Sequence, residues 1–181
     1  EMVNVEHEEV LLIPRYIGKG LKKVTFKFGL GQEFIDALWN LQALNLDRTD
    51  MTIQVGDTRI TPRDFVAKAA PDPATIGPLM KGKTCAGALV KGLNKEGRPY
   101  ACYMYNVVDN EWSMAEYGDQ AVVWQTAINP VIAMELIHKG IWKPEGVVGP
   151  EWFDAKPFLD LLPSYGTEWK IREEDPSGII V

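Results

Sequence analysis

Tyr117-Gly118-Asp119-Gln120-Ala121-Val122-Val123-Trp124-Gln125-Thr126-Ala127-Ile128-Asn129-Pro130 opens the stretch around which the chain is organised, and that stretch closes at His138-Lys139-Gly140-Ile141-Trp142. An apolar, β-capable segment ends in the polar side chains Gln125 and Thr126, and the spacing predicts a helix directly after it. Asn129 is a suitable N-cap acceptor, and Pro130 fits a first helical turn, where its missing N–H costs nothing. Ile128, Ile132, Leu136 and Ile137 form an apolar stripe, and Gly140 can end the helix in the left-handed conformation. A strand end meeting a helix N-terminus suits an anion, because free N–H groups and the helix dipole point the same way. The same pattern also describes a core strand and a core helix joined by a capped turn.

The bulk numbers narrow the choice of function. A chain of 181 residues, 46% apolar and 24% charged, is read as a single globular domain spanning 1–181. A net charge of −6 argues against a nucleic-acid partner, since phosphate binding needs a concentrated excess of Lys and Arg. No apolar run approaches the roughly 20 residues of a membrane span, and no signal-peptide pattern opens the chain, so no membrane partner and a cytoplasmic location are expected. The first residue is Glu1 rather than Met, which points to a piece of a longer protein.

Working outward in both directions, alternation predicts strands and stripes predict helices. Val10-Leu11-Leu12-Ile13 reads as a short buried strand stopped by Pro14. From Lys22 to Phe28, Val24, Phe26 and Phe28 share one face, as in a sheet covered on one side. Gly29-Leu30-Gly31 leads into a helix lined by Phe34, Ile35, Leu38, Trp39 and Leu41. Thr52–Val55 and Thr58–Ile60 flank Gly56-Asp57 as a small hairpin. Thr61 then N-caps a helix with Pro62 at its first position, which Ala70-Pro71-Asp72-Pro73 ends.

Thr75 to Lys83 reads as an irregular loop. The long hairpin that follows pairs Thr84–Leu93 with Arg98–Val107 around Asn94-Lys95-Glu96-Gly97. Tyr103 and Tyr105 share one of its faces; Tyr100, Cys102, Met104 and Asn106 share the other. In this register Cys85 falls opposite Asn106 and Cys102 opposite Leu89, beyond the roughly 7 Å Cα limit of a disulfide, so both are read as reduced, half-buried thiols. Short turns follow Trp142, then a last strand at Trp169–Arg172 and a loose tail from Glu173 to Gly178. The fold class expected is α+β, a mixed, mainly antiparallel sheet with helices packed on one face.

Spacing alone shows no catalytic signature. Gly18-Lys19-Gly20 and Gly29-Leu30-Gly31 lack the third glycine and the βαβ context of a dinucleotide fingerprint. The two histidines, His7 and His138, make no metal site of recognisable spacing, and no metal is expected. His138 belongs to a last helical turn, where a cation is favoured. His7-Glu8-Glu9 places three ionisable groups at the mouth of a buried strand, where they suit an amine or a proton transfer; on charge pattern alone a solvated strand entry is the better explanation. Asn106 to Glu111, with Asp109 at its centre, reads as a second polar cluster or as an ordinary turn.

As an ordered set the motifs are specific. Pro71-Asp72-Pro73-Ala74-Thr75-Ile76-Gly77-Pro78, Lys81-Gly82-Lys83-Thr84, Tyr105-Asn106-Val107-Val108-Asp109 and Gly118-Asp119-Gln120-Ala121-Val122 resemble the C-terminal half of the saccharopine dehydrogenase-like family, most of all its carboxynorspermidine synthase (dehydrogenase) branch. The likeness runs from His7-Glu8-Glu9 through Lys19-Gly20-Leu21-Lys22 to Gly140-Ile141-Trp142-Lys143 and Phe153-Asp154-Ala155-Lys156-Pro157-Phe158.

The resemblance implies an N-terminal Rossmann domain for NAD(P), absent from this chain, and a second domain that shapes the substrate pocket and carries the contacts of a homodimer. It implies chemistry on a secondary amine joining an amino-acid skeleton to an aldehyde or keto acid. Pocket residues would be His7, Glu8, Glu9, Asn106, Asp109, Gln125 and Thr126, facing a small-molecule amine or amino-acid substrate. This fragment would hold no cofactor and be inert alone; a stand-alone binding or dimerisation module is the alternative.

Two departures stand out. The branch shows His where this chain has Asn110, and Thr-Gly-x-Pro where it has Thr126-Ala127-Ile128-Asn129 with Pro130 one place later. An amide in place of an imidazole removes a titrating group. A polyamine product calls for carboxylates (Glu8, Glu9, Asp109, Glu111, Glu116), whereas saccharopine calls for Arg15, Lys81, Lys83 and Arg98. The excess of acid near Asp109 favours an amine-bearing substrate.

Overall fold

The computed structural model describes residues 2–177. In chain order the first elements are β1 (Met2–Val5), α1 (Glu9–Ile17), β2 (Phe26–Gly29), α2 (Gln32–Ala43), β3 (Ile53–Val55), β4 (Thr58–Ile60), α3 (Pro62–Ala69) and α4 (Pro73–Ile76). Then come β5 (Lys83–Leu93), β6 (Pro99–Asp109), α5 (Asn110–Tyr117), α6 (Ala121–His138), α7 (Lys156–Leu161) and β7 (Trp169–Glu173), with single 3₁₀ turns at Gly77–Leu79, Pro150–Trp152 and Leu162–Tyr165. The class is α+β, as the patterning predicts. Among the described residues every strand pairing is antiparallel, and the strands fall into three sheets, β1-β2, β3-β4 and β5-β6-β7. Contacts divide the chain into two compact units: Glu1–Val10 with Thr25–Thr75, and Leu11–Val24 with Ile76–Val181.

In the first unit local turn chemistry decides most of the structure. Gly56 sits at φ +57 in the first of two turn positions between β3 and β4, as a type II′ hairpin requires. Thr61 Oγ1 accepts from Asp64 N–H at 3.2 Å and Pro62 opens α3, as expected from the sequence. The helix read from Phe34, Ile35, Leu38 and Trp39 is α2, with Ile35 its buried residue. β1, which pairs Val3 with Phe28 and Val5 with Phe26, lies in the opening segment whose polarity masked it.

The second unit is built on α6, and here the predicted strand from Tyr117 to Thr126 is corrected. α6 runs unbroken over 18 residues with Pro130 inside it, so Asn129 is not its N-cap. Two clusters explain why the helix continues. Its first half buries Ala121 and Trp124 with Val108, and its second buries Ile132 and Leu136 with Trp142 and Leu162. A proline inside a helix costs about 3 kcal/mol. Burial of each such large side chain returns about 1.5–3 kcal/mol, so the flanking contacts outweigh the break.

The same correction applies to Val10–Ile13, which lies in α1 with Pro14 inside. Leu12 and Tyr16, one helical turn apart, meet Gly149, and Tyr16 packs edge-on against Trp152 at 6.2 Å. That docking uses one helical face, which a strand would not present.

The long hairpin forms with a one-residue difference in register. Leu93 pairs with Pro99, Cys85 with Val107 and Cys102 with Val90. Asn94 N–H bonds Arg98 O at 2.9 Å, leaving a three-residue loop that ends on Gly97 at φ +74. A type I turn followed by a left-handed glycine adds the residue that a four-residue loop does not count. Both cysteines are free; Cys85 is exposed rather than half-buried. β7 adds to β6 with Trp169 opposite Asn106. Helices α5 and α6 pack on the face bearing Asn106 and Val108, whereas Tyr103 and Tyr105 stack at 5.1 Å on the other.

The tail is tied rather than loose up to Ser177. Glu174 N–H bonds Ala101 O at 3.0 Å, and Lys91 Nζ bonds Ser177 O at 2.8 Å. Gly178 lies outside the described residues.

Candidate functional site

His7, Glu8 and Glu9 converge in the first unit. His7 Nδ1 bonds the Glu9 carboxylate, and Glu8 Oε2 stands 3.3 Å away from the same nitrogen. Phe26 of β2 stacks under the imidazole at 4.0 Å and fixes its plane. The three side chains offer ligand atoms within 4.8 Å of one another. With one imidazole and two solvent-reaching carboxylates, the group can hold an ammonium ion by charge and by hydrogen bonds together.

Asn106 and Gln125 meet in the second unit. Gln125 Nε2 donates to Asn106 Oδ1 at 2.6 Å, joining α6 to β6. Gln125 is buried, so this amide pair has its geometry fixed by the fold. Asp109 and Thr126 have local roles. Asp109 Oδ1 accepts from Trp112 N–H at 3.1 Å as the N-cap of α5, and its Oδ2 lies 3.7 Å from Lys83 Nζ. The Thr126 hydroxyl donates to Val122 O at 2.8 Å, on an open apolar hollow shared with Val122, Val123 and Ala127.

Asn110 is the residue whose importance composition and spacing understate. It is buried, its Nδ2 donates to Gly77 O at 3.0 Å and Met80 O at 2.9 Å, and its Oδ1 accepts from Ala121 N–H at 3.0 Å. Its own N–H bonds Gly82 O. One amide thus closes the 77–82 loop and caps α6 from a distance. A neutral imidazole offers one donor and one acceptor and cannot make all three side-chain bonds. The signal available in the sequence is Asn110 itself, directly after the Tyr105-Asn106-Val107-Val108-Asp109 motif.

Two more clusters join residues that are distant in the sequence. Cys85 Sγ lies 3.6 Å from Tyr103 Oη, and this contact with partial burial pushes the phenol up to about 12. Arg172 sits over the Tyr103 ring at 6.0 Å. Glu135 of α6 receives bonds from Lys139 and Tyr165, which hold its carboxyl below the ordinary range; the Glu135 bond in turn holds the Tyr165 phenol above its own.

Residues 1–167 match the saccharopine dehydrogenase C-terminal domain family. The chain belongs to that family. Among curated relatives, the chain is 26% identical over 181 residues to the carboxynorspermidine synthase of Vibrio alginolyticus, covering all of this chain and 43% of that protein. It is 27% identical over 177 residues to the carboxynorspermidine synthase of Vibrio cholerae, covering 97% of this chain and 42% of the relative. It is 30% identical over 163 residues to the carboxyaminopropylagmatine dehydrogenase of Synechocystis, covering 90% and 40% respectively. The chain therefore spans about two fifths of the length of these relatives.

The described strands pair only in antiparallel fashion. Among the described residues there is hence no βαβ crossover whose glycine turn cradles a pyrophosphate. No helix among the described residues is long and apolar enough to cross a membrane.

Proposed function

We propose that this chain is the substrate-binding half of an NAD(P)-dependent oxidoreductase that forms or cleaves a secondary amine, with an amine-bearing substrate held at His7, Glu8 and Glu9. The observation that carries the reading is the family match over residues 1–167, joined to relatives of which the matched region is 43% and 42%. The dinucleotide, which supplies the hydride, belongs to a nucleotide-binding half outside this sequence.

Charge favours an amine. Asp109 and Lys83 face each other, Arg98 reaches Glu96 at 3.7 Å, and Arg15 lies over Tyr16 at 5.6 Å. Several cations that would serve a tricarboxylate are thus already engaged, while Glu8 and Glu9 share a single imidazole. A homodimer whose contacts lie in this half completes the proposal.

Steady-state kinetics of the full-length enzyme test it. Glu8→Gln and Glu9→Gln should raise KM for the amine substrate about tenfold or more each, with a smaller change in kcat. Unchanged KM values in both variants would remove the cluster from substrate binding.

A further inference from the structure

The two ring nitrogens of His7 stand in different surroundings. Nδ1 bonds the Glu9 carboxylate and has Glu8 Oε2 at 3.3 Å. A carboxylate oxygen accepts and does not donate, so Nδ1 carries the hydrogen, and in the neutral ring the lone pair falls to Nε2. Among the described residues Nε2 has no hydrogen-bond partner. Phe26 lies almost parallel to the imidazole, with centroids 4.0 Å apart and planes at 11°. This stacking holds the plane of the ring without occupying its edge, where Nε2 lies. The side chain is 35% exposed, open enough for a small ligand to reach it. A carboxylate behind one nitrogen sets the tautomer and steadies the charge that the other takes up with a proton. His138, the only other histidine of the chain, is exposed at the end of α6 and meets no carboxylate among the described residues.

We propose that His7 Nε2 is the general base that turns the bound amine into a nucleophile. The proposal rests on the reading above that an amine is held at this cluster. An amine arrives as an ammonium ion, whose nitrogen has no free electron pair. Glu8 and Glu9 attract its charge, and the Nε2 lone pair takes one of its protons. The electrons of the broken N–H bond stay on the substrate nitrogen and form the new bond to the aldehyde carbon. The π pair of the carbonyl moves onto oxygen, and a proton passes from nitrogen to that oxygen to give a carbinolamine. The proton held by His7 then goes to the departing hydroxyl, so that water leaves, the iminium forms and His7 ends neutral. Between the two transfers the imidazolium is flanked by Glu9 and Glu8, and Phe26 keeps the ring in place as a positioning residue. Cleavage of the secondary amine runs through the same transfers in reverse.

The test uses the full-length enzyme with a diamine, an amino acid bearing a side-chain aldehyde, and NADPH. His7→Gln and His7→Ala should each lower kcat about 100-fold or more, with KM for the diamine within about threefold of the parent's. Added imidazole should restore part of the rate of His7→Ala, which a purely structural role would not allow. Independently of turnover, a diamine at about ten times its Kd should slow the carbethoxylation of His7 by diethyl pyrocarbonate about tenfold and leave that of His138 unchanged. A kcat within about threefold of the parent's in both His7 variants, with Glu8→Gln and Glu9→Gln still raising KM, overturns the base and leaves the amine site standing. A fall in kcat that imidazole does not repair, joined by weaker diamine binding, also overturns it, since His7 then only holds the substrate. KM values indifferent to both Glu substitutions overturn the amine site and the base together.

Discussion

Asn110 and Ala121 are separated by 11 residues in the chain and joined by one hydrogen bond, the Asn110 Oδ1 accepting the first N–H of α6 at 3.0 Å. The residue that caps the central helix therefore lies at the start of α5, and the Gly77 and Met80 carbonyls share the same amide. Asn110→Ala leaves these buried groups unmet and should cost about 2–4 kcal/mol, at about 1–3 kcal/mol per unsatisfied group after relaxation. Asn110→His should also destabilise, because an imidazole cannot supply both donors and the acceptor. Urea unfolding of the three proteins measures both.

Gly87 lies beneath the stacked pair of Tyr103 and Tyr105. A Cβ there would stand 2.4 Å from Met104 O and 2.7 Å from Tyr105 Cβ, closer than atoms approach. Gly87→Ala should destabilise by about 1–3 kcal/mol through overpacking, read as a lower midpoint in denaturant with an unchanged slope.

Tyr103 should resist ionisation until the pH reaches about 12, because the Cys85 contact and partial burial favour the neutral phenol. Cys85→Ala should bring its titration back toward the ordinary tyrosine range. Ultraviolet difference spectra of the two proteins over alkaline pH, with Tyr103→Phe to assign the signal, check this.

Glu135 titrates below its ordinary range because Lys139 and Tyr165 donate to it, and Tyr165 titrates above its own because it donates to Glu135. A lowered carboxyl contributes stability that is present above the unfolded-state value and lost as pH falls through the folded one. A raised phenol contributes below its unfolded-state value and loses that contribution as pH rises through the folded one. The tie from α6 to the Leu162–Tyr165 turn should thus weaken at both acid and alkaline extremes. Thermal melts of Glu135→Gln should show less loss at each end than the parent.

These contrasts show which parts of the structure the sequence carries. The α+β class, α2, the Thr61 cap of α3 and the face shared by Tyr103 and Tyr105 are all signalled by residues within one turn or one strand of the element they specify. α6 was hidden because its signals are non-local. Val122 and Val123 favour a strand, Asn129-Pro130 imitates a helix start, and the true cap is a side chain 11 residues upstream. The stripe Trp124, Ile128, Ile132, Leu136 crosses Pro130 without losing step, and that continuity is the sequence feature that marks the long helix.

The site was legible in parts. His7-Glu8-Glu9 is contiguous, so the chain itself brings the three groups together, and only the stacking of Phe26 needs the fold. Asn106 and Gln125 are both candidates in the sequence, but their bond depends on α6 being a helix, which local strand propensity hides. Asp109 reads in the sequence as part of a polar cluster, and its capping of α5 depends on a helix beginning at Asn110.

The most direct test of the central claim is a calorimetric titration of the full-length protein with a diamine, then with saccharopine, repeated for Glu8→Gln/Glu9→Gln. The account predicts that the diamine binds, that saccharopine binds at least tenfold more weakly, and that the double substitution removes most of the diamine affinity. Tighter binding of saccharopine, or a diamine affinity indifferent to both substitutions, would contradict it.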